Sequence, residues 1–256
     1  MSNNPTQSKS GIMSEAEWHT RVDLACAYRL FDHLGWHFMI YNHISARVPG
    51  EENQFLINPF GLLYREVTAS NLVKIDLDGN ILDGSPHPVN PAGFIVHSAV
   101  HGAREDAHWV MHTHTNEGMA VACQKEGLLP ISFTSFFYEG HISYHDFEGI
   151  TLDQEECVRL GASLGSNNVM ILRNHGLLSC GDTVGQAYAE MFNLQRACEV
   201  QVLAQAGGSE LIYPAKDVAA RSATQYQASA RDGGEQKLMW GAMRRWMEEI
   251  SPGFEN

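Results

Sequence analysis

The segment Trp109–Gly118, WVMHTHTNEG, constrains this chain more than any other. Trp109, Val110 and Met111 have the bulky apolar and β-branched character of a buried strand. Side chains on a strand alternate between faces, so His112 and His114 share one. A strand of this kind belongs inside a sheet covered on both faces. Its polar end then needs partners, because a buried polar group without one is costly. A metal ion is one such partner, and an ordinary pair of strand histidines is the other reading.

His175, in ILRNHGLLSCG, is the best third ligand. It stands at the end of another apolar strand, beside Gly176. Glycine there allows a sharp turn and leaves room next to the imidazole. Histidines 112, 114 and 175 together fit a catalytic metal centre with one position left open for water or substrate. Zinc suits three neutral imidazoles best, and manganese, iron and cobalt are compatible with the same ligands.

The rest of the chain supplies layers for such a strand. Helical spacing runs over Ser14–Phe38, with Gly35 as its stop. MIYNHISARV, QFLINPFG and LVKIDLDGNIL read as short strands, the last with an Asp-Gly turn. NPAGFIVHSAVHGARED is a helix with Pro91 in its first turn. NEGMAVACQKEG is a helix stopped at Gly127, and DQEECVRLGASLG a helix capped by Asp153. GLLPISF and HISYHDFEG are short strands or loops. NVMILRNHGLLSCG is strand, turn and strand. A long helix follows, capped by Asp182 or Thr183 and ended by Gly207 and Gly208. Residues 209–256 read as a polar segment and one more helix around EQKLMWGAMRRWMEEI. Hairpins interrupt the helices, so the pattern is a layered α/β or α+β domain with a mixed sheet rather than a Rossmann fold or a TIM barrel.

Several function classes are excluded. The net charge of -13 at pH 7 repels nucleic acid and anionic membrane surfaces. No apolar run approaches the ~20 residues of a membrane span. No glycine-rich nucleotide loop is present. The first residues, MSNNPTQSKSG, lack the layout of a secretory signal and read as a disordered tail. The five cysteines are scattered and include no C-x-x-C pair, which predicts a reducing, cytoplasmic setting.

Four motifs in one order resemble the class II aldolase/adducin head-domain family, in its bacterial adducin-like branch. They are YNHISAR, LINPFG, HTHT and LRNHGLL, and the resemblance covers roughly residues 15 to 205. It implies a three-layer α/β/α domain with a mixed, mostly antiparallel central sheet over residues 14–208. Residues 1–13 are then a tail and 209–256 a C-terminal helical extension. It also implies a cyclic homotetramer with the active site at the subunit seam, and zinc on His112, His114 and His175. Asn42 and Gly61 fall at substrate-binding positions of the family pattern.

Departures from the aldolase pattern are specific. The family's acid/base glutamate precedes the first metal histidine by nineteen residues, and that position here is Gly93. The two serines that contact phosphate become Pro91 and Ala92, and a small hydroxyl residue becomes Phe60. Pro91 has no N–H to donate. A phosphorylated substrate is therefore not expected. For a replacement base, YEGHISYHDFEG offers Tyr144 and His145, since an alternating strand aims one of them inward. His97 and His101 share a helix face, His97 near the metal shell and His101 as a structural histidine. Arg47 reads as a contact to an acidic substrate or a solvated strand-edge residue, and Asn174 as a turn residue or a hydrogen bonder behind the ligands rather than a ligand. The aromatic stretch FTSFFYEGHISYH is a candidate subunit contact or core lining.

Two functions follow. One is a metal-dependent lyase-like enzyme of aldolase, decarboxylase or epimerase type. It would act on a small, non-phosphorylated hydroxy or keto substrate through a metal-stabilised enolate. The other is a non-catalytic, adducin-like binding or scaffold module.

Overall fold

The computed structural model describes residues 13–149 and 154–256. The expected tail, save Met13, and the cap Asp153 lie outside the described residues.

Helix α1 (Glu15–His33) begins where the Ser14 hydroxyl accepts the Glu17 N–H, with Glu15 and Glu17 in the first turn. Three strands follow: β1 (His43–Arg47), β2 (Gln54–Ile57) and β3 (Val73–Asp76). Helix α2 (Pro91–Ala103) starts at proline and leads into β4 (Trp109–Thr113), buried along its whole length. A short helix α3 (Asn116–Ala122) precedes β5 (Ser143–His145) and α4 (Gln154–Leu164). The hairpin of β6 (Val169–Leu172) and β7 (Gly176–Gly181) leads to the long α5 (Val184–Ala206). The Thr183 hydroxyl caps α5 by accepting the Gln186 N–H. Helices α6 (Lys216–Asp232) and α7 (Gly234–Ile250) complete the described elements.

The strands form one sheet in the order β3-β2-β1-β4-β7-β6-β5. Every pairing is antiparallel except β5 with β6. β4 lies in the middle, with His112 opposite His43 on one side and Leu178 on the other. Alternation then sorts the residues into two faces. Val110, Met170, Leu172, Leu178 and Cys180 pack with α2 and α4 through Val96, Val100, Leu160 and Leu164. Ile44, Ala46, Met111, Ile171 and Leu177 face α1, α5 and α7 through residues such as Leu30, Phe31, Met191, Leu194 and Met247. The result is the α/β/α domain with a mixed, mostly antiparallel sheet.

A buried ion cluster holds α1 to the sheet edge. Arg21 contacts Glu17 at 3.0 Å and donates to the Leu72 carbonyl at 2.8 Å, and Lys74 meets Glu17 at 2.6 Å.

Two local expectations differ from what is observed. Helix α3 ends at Ala122 rather than running to Gly127. The Ala122 carbonyl accepts the Asn174 N–H, and the Gln124 carbonyl accepts from Arg173, so tertiary partners replace the helical ones. Helix α6 was not expected. Its buried residues are Ala219, Ala223 and Ala230, too small to show as an apolar stripe in a polar sequence. Of the aromatic stretch, Phe133 is exposed, Phe137 stacks on Tyr226 at 4.2 Å, and buried Tyr138 donates to the Glu190 carbonyl.

Candidate metal centre

His112 and His114 lie at the C-terminal end of β4, and His175 on the β6–β7 turn arrives beside them. One ligand atom from each lies within 4.8 Å of the others. The Nε2 of His112 is 2.7 Å from that of His114 and 3.3 Å from that of His175. Gly176 permits this approach. A Cβ there would lie 2.3 Å from the Thr113 carbonyl oxygen and 3.1 Å from the His114 ring. Asn174, with φ of 58°, takes the left-handed conformation that turns the hairpin.

The protonation of His112 follows from its partner. Its Nδ1 is 2.8 Å from the Leu177 carbonyl, which can only accept, so Nδ1 carries the proton. The neutral ring then presents a bare Nε2 to the cluster. Burial pushes the His112 pKa well below its ordinary value, helped by the neighbouring histidines 114, 175 and 43. Burial, then His175, lowers that of His114 to about 4, and burial lowers that of His175. Neutral imidazoles with converging lone pairs are the donor set a divalent cation takes. The residues present fit a metal ion.

Asn42 is wholly buried beneath this cluster. Its Nδ2 donates to the His112 carbonyl at 3.3 Å, and its Oδ1 is buried without a partner. Gly61 lies in the turn after β2, with φ of 102° and open space where a side chain would be. A run of rings links that turn to the histidines: Phe60 to Tyr41 at 6.4 Å, Tyr41 to Phe38 at 6.3 Å, and Phe38 to His114 at 5.6 Å.

Tyr144 and His145 part company. Tyr144 packs on the α5 side, where its hydroxyl accepts the Leu128 N–H and the Arg173 guanidinium covers its ring at 4.2 Å. The structure does not bring Tyr144 to the histidine cluster. His145 lines a cavity together with His175, Arg173, Phe147, Glu148 and Glu156. Ser163 gives its proton to the Arg159 carbonyl, so the 3.0 Å contact with His145 Nδ1 makes that nitrogen the donor. The His145 Nε2 lies 3.9 Å from carboxylate oxygens of both Glu148 and Glu156 and is buried without a hydrogen-bond partner.

Sequence reasoning passed over His43. Its ring stacks on that of His112 at 5.7 Å and meets His97 edge-on at 5.1 Å. The signal was present in HISAR, since His43, Ser45 and Arg47 alternate onto one face. That face meets the α2 face of Gly93, His97 and His101. Ser45 Oγ contacts His97 Nδ1 at 2.5 Å and His101 Nε2 at 2.8 Å. Arg47 donates to the His101 carbonyl at 2.6 Å, which settles it as a tie between β1 and α2.

Fold and site define a three-layer α/β protein with a triple-histidine cluster at the end of a central strand. The profile of the Class II Aldolase and Adducin N-terminal domain matches residues 22–202, and the chain belongs to that family. A Pseudomonas aeruginosa protein bearing a class 2 aldolase name is 51% identical over 244 residues, 94% of each chain. Rat alpha-adducin is 48% identical over 222 residues, 84% of this chain but 29% of the adducin. An aldolase II superfamily protein from Pseudomonas syringae superposes with TM-score 0.92 at 46% identity, covering 96% of this chain and 98% of that one. L-fuculose 1-phosphate aldolase from Glaciozyma antarctica superposes with TM-score 0.80 at 26% identity, covering 98% of this chain and 97% of that one.

Proposed function

We propose that the protein is a divalent-metal-dependent, lyase-like enzyme of aldolase, decarboxylase or epimerase type. Its substrate is a small, non-phosphorylated hydroxy or keto compound. The observation that carries this reading is the convergence of three neutral imidazoles, with Nε2 atoms 2.7 and 3.3 Å apart around His112. A zinc ion on them supplies Lewis-acid polarisation of a carbonyl or carboxylate oxygen, easing the charge that develops when a neighbouring C–C or C–H bond breaks.

The chain's own residues do the rest. The Leu177 carbonyl holds His112 in one tautomer. Asn42 braces the His112 backbone and keeps an amide oxygen for a substrate hydroxyl. His145, which lines the cavity next to His175 and whose Nε2 has no hydrogen-bond partner, takes a proton from the substrate. Tyr144 supports Arg173 from the other side of the sheet. Gly61 gives a ligand open space at the rim.

A non-catalytic, adducin-like role is the second reading, favoured by 48% identity to rat alpha-adducin over 222 residues. One experiment separates the two: metal analysis of the purified protein, then assay of the loaded protein on a panel of small hydroxy and keto acids. Turnover of any panel member supports the enzyme. Bound metal without turnover supports the binding module.

A further inference from the structure

Glu190 lies in the middle of α5 and is 2% exposed, with its Oε2 buried and without a hydrogen-bond partner. The groups around it come from four directions. Tyr138, on the single helical turn Ser135–Tyr138, already gives its hydroxyl proton to the Glu190 carbonyl at 2.9 Å. Tyr226 faces it from α6 and Cys180 from β7. Asn168, just before β6, offers its amide, with its Oδ1 held by Arg104 at 3.0 Å. Arg104 is itself paired with Asp106 at 2.6 Å. Among the described residues no cationic side chain pairs with Glu190.

A buried carboxylate without a counter-ion is costly, so the neutral acid is favoured. Burial pushes the carboxyl from its ordinary 4.5 up to about 7, against the opposing pull of Tyr138, Tyr226 and Asn168. Burial also holds both tyrosine hydroxyls above their ordinary value and the Cys180 thiol at about 12. Glu190 is therefore the group here that changes charge near neutrality.

Helix α6 depends on this spot. Its buried residues are Ala219, Ala223 and Ala230, and its charged residues are all exposed. Its one aromatic side chain, Tyr226, stacks on Phe137 at 4.2 Å, and the Tyr226 hydroxyl accepts from Asn193 at 3.3 Å. Three alanines bury little apolar area, so the hold on α6 is concentrated at Tyr226, against Glu190. Helix α6 also lies beyond residues 22–202, the part matched by the family profile.

We propose that Glu190 is a proton-operated latch for α6: with a neutral carboxyl α6 lies closed on α5 and the Ser135–Tyr138 turn, and loss of the proton to solvent loosens it. The latch is independent of the metal-dependent reading above. With α6 lifted, water reaches the carboxyl and its pKa falls back toward 4.5. Below that value the acid is neutral in both states and the latch is at full strength. As pH rises toward 7 the open state loses its proton first, so opening becomes easier, and above 7 the latch is at its weakest. The buried histidines His97 and His101 act in the opposite sense, weakening the whole fold in acid.

Amide hydrogen exchange on the full chain tests the latch, expressed as protection so that the intrinsic pH dependence is divided out. Between about pH 5 and 8, protection of residues 216–232 should fall at least about tenfold in wild type, while that of β4 should rise. Glu190→Gln cannot ionise and should keep α6 at its low-pH protection throughout. Tyr226→Phe keeps the stacked ring but deletes a donor to the carboxylate, so the midpoint of the fall should move to higher pH. Wild-type protection of α6 that does not fall with pH, or a fall of the same size in Glu190→Gln, would overturn the proposal. An unmoved midpoint in Tyr226→Phe would overturn the contact through which the latch works. Infrared spectra supply a readout that needs no variant. The carbonyl band of a buried neutral acid should fade in wild type as pH passes about 7, and a band unchanged between about pH 5 and 8 would also overturn the latch.

Discussion

A Cβ on Gly176 would stand 2.3 Å from the carbonyl oxygen of Thr113. The contact joins β7 to β4 at the point where His112, His114 and His175 converge. Backbone cannot yield as the tip of a side chain can. Gly176→Ala should therefore cost about 1–3 kcal/mol, read from urea unfolding. It should also lower bound metal per chain, because spreading β4 from β7 separates His175 from the other two. A variant as stable and as metal-rich as wild type would show that the approach is not tight.

Metal should stabilise the fold through the same three residues. Saturating zinc at about 100 times its Kd adds roughly 2.7 kcal/mol, which for a chain of this size raises Tm by about 5–10 °C. EDTA should remove the increment. His114→Ala should bind less metal in elemental analysis and lose most of the zinc-dependent rise. Equal metal content in the variant and wild type would sink the triad assignment.

The triad was legible because period-2 alternation put His112 and His114 on one face, and Gly176 announced a close approach at His175. The sheet was legible for the same reason: β4, β6 and β7 are short apolar runs bounded by turn residues. Helix α6 was not, because its buried residues are three alanines in a polar stretch. His43 was not, because spacing along the chain cannot show that β1 faces α2 across Gly93. Strand alternation already put Tyr144 and His145 on opposite faces, and only the packing shows that His145 is the one on the side of the cavity beside His175.

Stability should fall in mild acid. Burial, with minor help from Arg47 and His108 and against the hydrogen bond to Ala107, lowers the His101 pKa from 6.5 to about 3. Above the unfolded value neither state is charged and the stabilising contribution is whole. Below it the unfolded chain takes a proton that the folded chain refuses, so stability declines as pH drops from about 6.5 toward 3. His97, also held at about 3 by burial and by His101, acts in the same sense. His101→Gln should melt lower than wild type near pH 7.5 yet show a flatter Tm between about pH 6.5 and 4.5. An unchanged slope would show that His101 does not titrate in that range.

Self-association should close the open side of the site. Phe38, Met39 and Tyr41 are 45%, 67% and 48% exposed, and the Phe38 ring lies 5.6 Å from that of His114. A contiguous apolar rim of this kind is costly to leave in water. A closed ring of copies would cover it without leaving a free end. Light scattering behind a sizing column should report four times the chain mass of 28.4 kDa. Met39→Asp should lower that mass. A wild-type monomer that still holds metal would show that the site needs no neighbour.

Phosphorylated ketoses should not be substrates, although the fold superposes on an L-fuculose 1-phosphate aldolase with TM-score 0.80. Pro91 opens α2 without an N–H, Phe60 puts a ring in the turn before Gly61, and the corner at Gly93 is filled by His43. Neither Pro91 nor the Phe60 ring offers a phosphate oxygen the hydrogen bonds its charge demands. With zinc loaded, L-fuculose 1-phosphate should turn over far more slowly than ~1 s⁻¹, the low end of ordinary enzyme rates. Gly93→Glu should not rescue the reaction, because the new side chain meets the His43 ring before it meets substrate. Combining it with His43→Ala relieves the collision, yet Pro91 and Phe60 still deny the phosphate a seat. Coupled detection of dihydroxyacetone phosphate measures all three proteins. Turnover by the wild type at ~1 s⁻¹ or faster would refute the exclusion of phosphorylated substrates. Turnover gained by the double variant alone would place the whole exclusion on the His43–Gly93 pair.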